Sequence, residues 1–156
     1  MNTETETPNS GVTISLSDHA KANLQSFTGY DDAPFKDMMD AFRFAVSLAI
    51  ASCGEEVPEC ENQPGTTLYN LGSFDSNQMF REAIKVIAPI AYGQTTLTRL
   101  IRSYGEKGIE LMLNYCELDP SSFELGEVLR SINSTVEDEK QGATDVEIAN
   151  PSIPRS

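Results

Sequence analysis

The chain has 156 residues, a length that suits one domain with one hydrophobic core. Its 24 acidic and 11 basic residues give a formal net charge of −13, which disfavours direct contact with the phosphate backbone of DNA. Such a charge is better matched to a basic protein surface. The three cysteines are an odd number, and no charged-then-apolar leader precedes them, so we expect reduced thiols and a cytoplasmic location.

The two ends of the chain are short of large apolar side chains. Residues 1–10 and 133–156 are rich in Ser, Thr, Asn, Glu and Pro, and such segments bury too little surface to offset their chain entropy. We therefore expect a disordered N-terminal tail over 1–10, a single helical domain over 11–132 and a disordered acidic C-terminal tail over 133–156.

The first element is a short strand. Val12, Ile14 and Leu16 alternate with Thr13 and Ser15, which is the period of a half-buried strand. A helix over residues 18–29 follows, with Ser17 as its N-cap and Gly29 at its end.

The stretch from Phe35 to Ala51, FKDMMDAFRFAVSLAIA, is apolar almost all round a helix. After Asp37, only Asp40, Arg43 and Ser47 interrupt it. A helix without a polar face is buried. This one is too short and too polar to cross a bilayer. The sequence therefore predicts a central core helix, capped by Asp37 and ended by Gly54, that the other elements wrap.

Residues 53–65 predict an acidic loop, and residues 67–71 a second short strand. A helix with Asp75 or Ser76 as its cap then carries a broad apolar stripe up to Pro89, which kinks or stops it. The stripe comprises Met79, Phe80, Ala83, Ile84, Val86, Ile87 and Ala88.

Thr95 or Thr96 caps the next predicted helix. Within it, Gly105 and Gly108 indicate either a break or a close contact with another helix. A buried helix then continues from Ile109 through Tyr115, and a last short helix runs over 121–132. The predicted fold is mainly α with one or two short strands, a ribbon–helix–helix-like start wrapped by a helical bundle.

The strand–helix–helix order suggests one nucleic-acid site. In ribbon–helix–helix proteins two strands pair between subunits and their polar side chains enter the major groove, and here Thr13 and Ser15 would be that outward pair. The alternative is an edge or dimerisation strand whose polar residues face water.

Four cations form a second candidate site. They lie at helical spacing on two predicted helices: Arg81, Lys85, Arg99 and Arg102. If the helices are neighbours, these side chains make a basic patch for a phosphate or a partner. Surface ion pairs with Glu82 and Glu106 explain them equally well.

Catalytic and metal patterns are lacking in the sequence. It contains no nucleophile and base at suitable spacing, no paired carboxylates and no glycine-rich phosphate loop. His19 is the single histidine, and Cys53, Cys60 and Cys116 include no C-x-x-C pair. We therefore expect no enzymatic activity, no catalytic residue, no cofactor and no metal.

The segment from Pro34 to about Tyr115, half of the chain, resembles a family of small proteins encoded beside bacterial DNA phosphorothioation (Dnd-type) modification and restriction genes. The similarity lies in Pro34-Phe35 with the helix over 40–45, in the helix over 84–88, and in the tyrosine–glycine helix that begins at Tyr104. The resemblance implies an accessory role in a DNA-modification or phage-defence system.

We therefore expect a non-enzymatic accessory subunit that acts through contacts with other proteins of that system. The alternative is a dimeric ribbon–helix–helix DNA-binding protein or transcriptional repressor that pairs through Val12–Leu16. A third hypothesis is an acidic decoy that occupies a nucleic-acid groove on a partner. No membrane association is expected.

Overall fold

A computed structural model describes residues 12–60 and 62–134. The predicted tail over 1–10 and all but the first two residues of the predicted tail over 133–156 lie outside these ranges. The fold is mainly helical with a two-stranded antiparallel sheet, as predicted. Its elements are β1 (Thr13–Ser15), α1 (Asp18–Gln25), α2 (Met38–Cys53), β2 (Thr67–Asn70), α3 (Leu71–Phe74), α4 (Met79–Ile87), α5 (Pro89–Gln94), α6 (Leu97–Tyr115), a 3₁₀ turn (Pro120–Ser122) and α7 over 125–134.

Both predicted strands form, and they pair with each other. Ile14 lies opposite Tyr69 and Thr13 opposite Asn70, with an irregularity in the register after Ile14. Ile14 is fully buried, whereas Thr13 is exposed, so the strand alternates as its sequence predicts. The partner of β1 is thus a strand of the same chain, whereas a ribbon–helix–helix strand takes its partner from a second subunit.

The hydroxyl of Ser17 caps α1, as predicted, by accepting a hydrogen bond from the amide of Ala20 at 3.1 Å. The predicted end at Gly29 is wrong, because α1 ends at Gln25. The Ser26 and Thr28 hydroxyls donate to the carbonyls of Asn23 and Gln25, so side chains occupy the last helical acceptors and a turn follows.

α2 is the predicted core helix. The Asp37 carboxylate accepts from the amide of Asp40 at 2.9 Å, and Gly54 ends the helix with a φ of 60°. Its buried side chains lie on several sides of the helix: Ala41, Phe42, Ala45, Val46, Leu48 and Ala49. The loop that follows has neither helix nor strand over its described residues, 54–60 and 62–66.

α6 packs along α2 more extensively than any other pair of described elements. The helix runs without a break through Gly105 and Gly108, so the two glycines serve a close helix contact. A Cβ atom on Gly108 would overlap the backbone carbonyl of Ala45, and one on Gly105 would overlap the Phe42 ring. The absence of these two side chains therefore sets how closely the two central helices approach.

α4 begins at Met79, later than a cap at Asp75 or Ser76 predicts, and Gln78 is its N-cap residue. The buried Asp75 carboxylate accepts from the amides of Phe80 at 2.9 Å and Arg81 at 3.0 Å, which satisfies donors in the first turn. Pro89 stops the helix rather than bending it, because α4 ends at Ile87 and Pro89 begins α5. The short helix α3 was not predicted.

The chain divides into two compact units, of which the first ends at Phe123 and the second begins at Glu124. In the first unit the Phe123 ring lies 5.3 Å from that of Phe27, centroid to centroid. In the second unit α7 begins at residue 125, four residues later than predicted, because Pro120 opens a separate 3₁₀ turn. Among the described residues, no helix has the length and apolarity needed to cross a membrane.

The hydroxyl of Tyr104 ties α6 to the end of α2. This fully buried side chain donates to the carbonyl of Gly54 at 2.6 Å. Burial raises the pKa of Tyr104 above its ordinary value of 10.0, and the nearby Cys53 thiolate charge raises it further. The folded chain therefore holds the phenolic proton more tightly than the unfolded chain does.

Gly108→Ala should lower the free energy of unfolding by about 1–3 kcal/mol, because the new methyl group collides with a backbone carbonyl that cannot move alone. Gly93→Ala is the matched control: its added methyl group would have no neighbour within 4 Å, and alanine favours the helix by up to about 1 kcal/mol. Urea unfolding measures both. Equal stability of the two variants would contradict a close α2–α6 contact.

Tyr104→Phe should lower the free energy of unfolding by about 1–3 kcal/mol at neutral pH, since it leaves the Gly54 carbonyl without its donor. The advantage of the wild type should be constant below the ordinary value of 10.0. It should then shrink as pH rises through the raised pKa, because the unfolded chain loses the proton first. Urea unfolding of both proteins across alkaline pH checks this; a gap that widens with pH contradicts it.

Candidate protein-binding surface

Thr13 and Ser15 line an open cleft of about 410 Å³ together with Arg99 and Arg102. We call it the arginine cleft; Thr98 and Cys60 also line it. The structure thus brings the predicted strand residues and half of the predicted basic patch to one place. The two sets of residues meet because β1 pairs with β2 beside α6. The sequence of the strand and the sequence of the helix do not indicate this arrangement by themselves.

Arg99 and Arg102 differ in what they contact. Arg102 donates to the carbonyl of Asn62 and lies 3.5 Å from a Glu106 carboxylate oxygen, and both side chains of that ion pair are largely buried. The side chain of Arg99 is exposed. Arg102 is therefore a structural residue of the cleft wall, whereas Arg99 is available to a ligand.

The thiol of Cys60 also lines the arginine cleft. Burial raises its pKa, while the Ser103 hydroxyl at 3.7 Å and the two arginines act in the opposite direction. Because burial dominates, the thiol stays protonated at neutral pH. The cleft therefore presents cations and hydroxyls rather than a thiolate.

Arg81 and Lys85 lie beside a second cleft, of about 320 Å³, which we call the threonine cleft. Arg81, Tyr92, Thr95, Thr98 and Val12 line it. Arg81 donates to the Tyr92 hydroxyl at 2.8 Å, and the Lys85 ammonium lies 6.0 Å from the Tyr92 ring centroid and 3.7 Å from a Glu82 oxygen. Three of the four cations, Arg81, Arg99 and Arg102, thus line two clefts that share Thr98. Lys85 and Arg102 also form the ion pairs of the alternative prediction.

Glu106 has a role that the sequence analysis missed. Its carboxylate accepts from the Ser17 amide at 2.7 Å and from the Ser17 hydroxyl at 3.1 Å, besides pairing with Arg102. One buried carboxylate therefore joins the start of α1 to α6. No local pattern indicates this contact, because 89 residues separate the two partners.

His19 lies on a third cleft, of about 320 Å³, whose lining includes Glu59, Glu106 and Glu110. The imidazole makes a 3.2 Å contact with the side-chain amide of Asn23. Over residues 12–60 and 62–134, no three His, Cys, Asp or Glu side chains are grouped so as to hold a metal ion. The Glu106 carboxylate already binds Ser17 and Arg102, so it is not available to act on a ligand together with His19.

We define the α4–α5 surface as Met79, Val86, Ile87 and Ile90, which form the largest group of exposed apolar side chains among the described residues of the first unit. Val86 and Ile90 are each 76% exposed and Met79 is 66% exposed. The predicted stripe on this helix was broader than the face that packs, and of its members only Ile84 and Ala88 are buried. The prediction of a buried helix through Tyr115 is wrong at that residue, because Tyr115 is also exposed.

A smaller apolar pair lies on α7 in the second unit. Leu125 and Leu129 are one turn apart and are 39% and 47% exposed. Isolated apolar side chains at such exposure are normal on protein surfaces, whereas a contiguous group marks an interaction site. The α4–α5 surface is the stronger candidate because its side chains are more exposed and share one short segment.

Comparison of the chain with protein-family models, with curated proteins and with solved structures finds no match.

Glu106→Gln should lower the free energy of unfolding by about 1–3 kcal/mol, because it removes the charge that both Ser17 donors and Arg102 need. Glu110→Gln, one turn further along α6, removes an exposed partner of Lys107 and should change stability by less than about 0.5 kcal/mol. Thermal unfolding compares them. Equal effects would show that the buried tie between α1 and α6 is energetically unimportant.

Proposed function

We propose that this chain is a non-enzymatic accessory subunit that acts by binding another protein through the α4–α5 surface. The observation that carries the proposal is the exposure of Val86, Ile90 and Met79 on one short helical segment. Burying large apolar side chains is the dominant favourable contribution to most protein association.

The surface has the shape of a docking site as well as the composition. Met79 and Val86 are seven residues apart, so they lie along one side of α4. A groove of about 290 Å³ runs beside Ile90, and Val57, Pro89 and Ala91 contribute to its walls. A partner helix or strand could place apolar side chains in this groove while it covers Val86.

The resemblance of residues 34–115 to proteins encoded beside DNA phosphorothioation genes supports a more specific form of the proposal. We propose that the partner belongs to the same modification or phage-defence system. We also propose a cytoplasmic location, which the free thiols of Cys53, Cys60 and Cys116 support.

The ribbon–helix–helix alternative has less support. β1 is hydrogen-bonded to β2 of the same chain, and Ser15 is only partly exposed. The net charge of −13 also opposes a DNA backbone. The observation in favour of a nucleic acid is that Thr13 and Ser15 share a cleft with two arginines.

Val86→Glu should abolish recovery of the partner when the tagged protein is purified from the cells that encode it, because a carboxylate would be buried against apolar side chains. The measurement is quantitative mass spectrometry of cross-linked, co-purified proteins. Stability should be unchanged, since the Val86 side chain is mostly exposed.

Ala22→Glu is the matched control, since it adds the same charge at an exposed helical position on α1. This variant should recover the partner as the wild type does. The proposal is overturned if Val86→Glu retains every protein that the wild type recovers, or if the two variants lose the same proteins.

A further inference from the structure

Acidic residues are distributed unevenly along this chain. Residues 83–105 contain no Asp or Glu and carry three cations, Lys85, Arg99 and Arg102. All 24 acidic residues lie outside this segment with the other 8 of the 11 basic residues, so the segment contributes +3 and the rest of the chain −16. Glu82 and Glu106, which flank the segment, pair with Lys85 and Arg102, so the exposed Arg99 is the cation of this segment that is most open to a negatively charged ligand.

The fold concentrates this segment around the arginine and threonine clefts. Over residues 12–60 and 62–134, no carboxylate lines either cleft, and Arg81 adds a further guanidinium to the threonine cleft. The amino-terminal end of α6 lies where the clefts join, because Thr98 borders both of them. The Thr96 hydroxyl caps the Arg99 amide at this end, and the dipole of α6 adds partial positive charge to that of the arginines.

The threonine cleft is linked to the α4–α5 surface through Lys85 on α4. The Lys85 ammonium lies 6.0 Å from the ring centroid of Tyr92, which lines the cleft, and Lys85 directly precedes Val86 of the apolar surface. A single partner segment that covers Val86 is therefore positioned to reach the cations.

We infer that the partner contributes an acidic segment, with Asp or Glu side chains next to large apolar ones, whose carboxylates enter the two clefts while its apolar side chains cover the α4–α5 surface. This inference rests on the proposed function and specifies the chemistry of its partner. Arg99 is the main specificity residue, because its guanidinium is exposed whereas that of Arg102 is held by Asn62 and Glu106.

An acidic peptide fits this surface better than a nucleic acid does. Duplex DNA carries one negative charge for about every 1.7 Å of its axis, so it would extend beyond the two clefts over the rest of the chain, whose net charge is −16. A peptide can place a few carboxylates at the clefts and neutral or apolar residues elsewhere. It also buries the apolar side chains that a phosphate backbone would leave exposed.

The test is selection from a phage-displayed library of random 12-residue peptides on the full-length wild-type chain. The recovered peptides should combine Asp or Glu with large apolar residues. Fluorescence anisotropy with the synthetic peptides should show binding that Arg99→Gln weakens by about 3–10-fold, with a reduced dependence on salt. Lys107→Gln, which removes one charge from the same helix at the His19 cleft, should leave the affinity unchanged.

Other outcomes overturn the inference in distinguishable ways. Peptides without acidic enrichment that bind through Val86 but not through Arg99 overturn it and leave the proposed function standing. Recovery of no peptide, together with loss of no partner in Val86→Glu, overturns both. Tighter binding of a 20-nucleotide single strand or duplex that depends on Arg99 would favour a nucleic acid, and self-association that depends on Val86 would favour a second copy.

Discussion

The close contact between α2 and α6 is the constraint on which the rest of the structure depends. Gly108 lies against the backbone of Ala45, and Gly105 lies against the Phe42 ring. The two longest described helices therefore approach each other where α6 has no side chains. Close packing of this kind maximises dispersion contacts and excludes water along both helices.

α6 in turn positions the elements that surround the arginine cleft. Tyr104 fixes the helix to the end of α2 through Gly54, and Glu106 fixes the start of α1 through Ser17. The sheet packs beside the same helix, which brings Thr13 and Ser15 to Arg99. The clefts are therefore built on the rigid centre of the fold, as a binding site of defined geometry requires.

α4 and α5 contribute little to that centre. Ile84 is the fully buried side chain of α4, and the Phe80 ring stacks on Phe74 at 4.8 Å, while Val86 and Met79 face away. Because few side chains of α4 are buried, its exposed apolar side chains are free to be covered by a partner. In a chain of net charge −13, residues 83–105 carry three cations and no acidic residue. The exposed apolar side chains thus lie on α4 and α5, and Lys85 adds a positive charge beside them, whereas Arg99 and Arg102 lie on α6.

The elements could be predicted from sequence where the signal is local. The Ser17 and Asp37 caps, the apolar run of α2, and the stop before Pro89 each depend on residues a few positions apart. The surface could not be predicted in the same way, because it depends on distant pairings such as Ile14 with Tyr69 and Ser17 with Glu106. The periodicity of residues 79–88 also does not reveal how much of the apolar stripe is buried. A fully buried stripe and a half-buried stripe have the same spacing of apolar residues.

Native-state hydrogen exchange of the free protein, read by mass spectrometry across increasing denaturant, tests the central claim most directly. We expect the amides of α2 and α6 to exchange last and with one common opening free energy, whereas those of α4 and α5 should exchange through a smaller opening that leaves α2 and α6 protected. Protection of α4 and α5 equal to that of α6, or opening of α2 independently of α6, would contradict it.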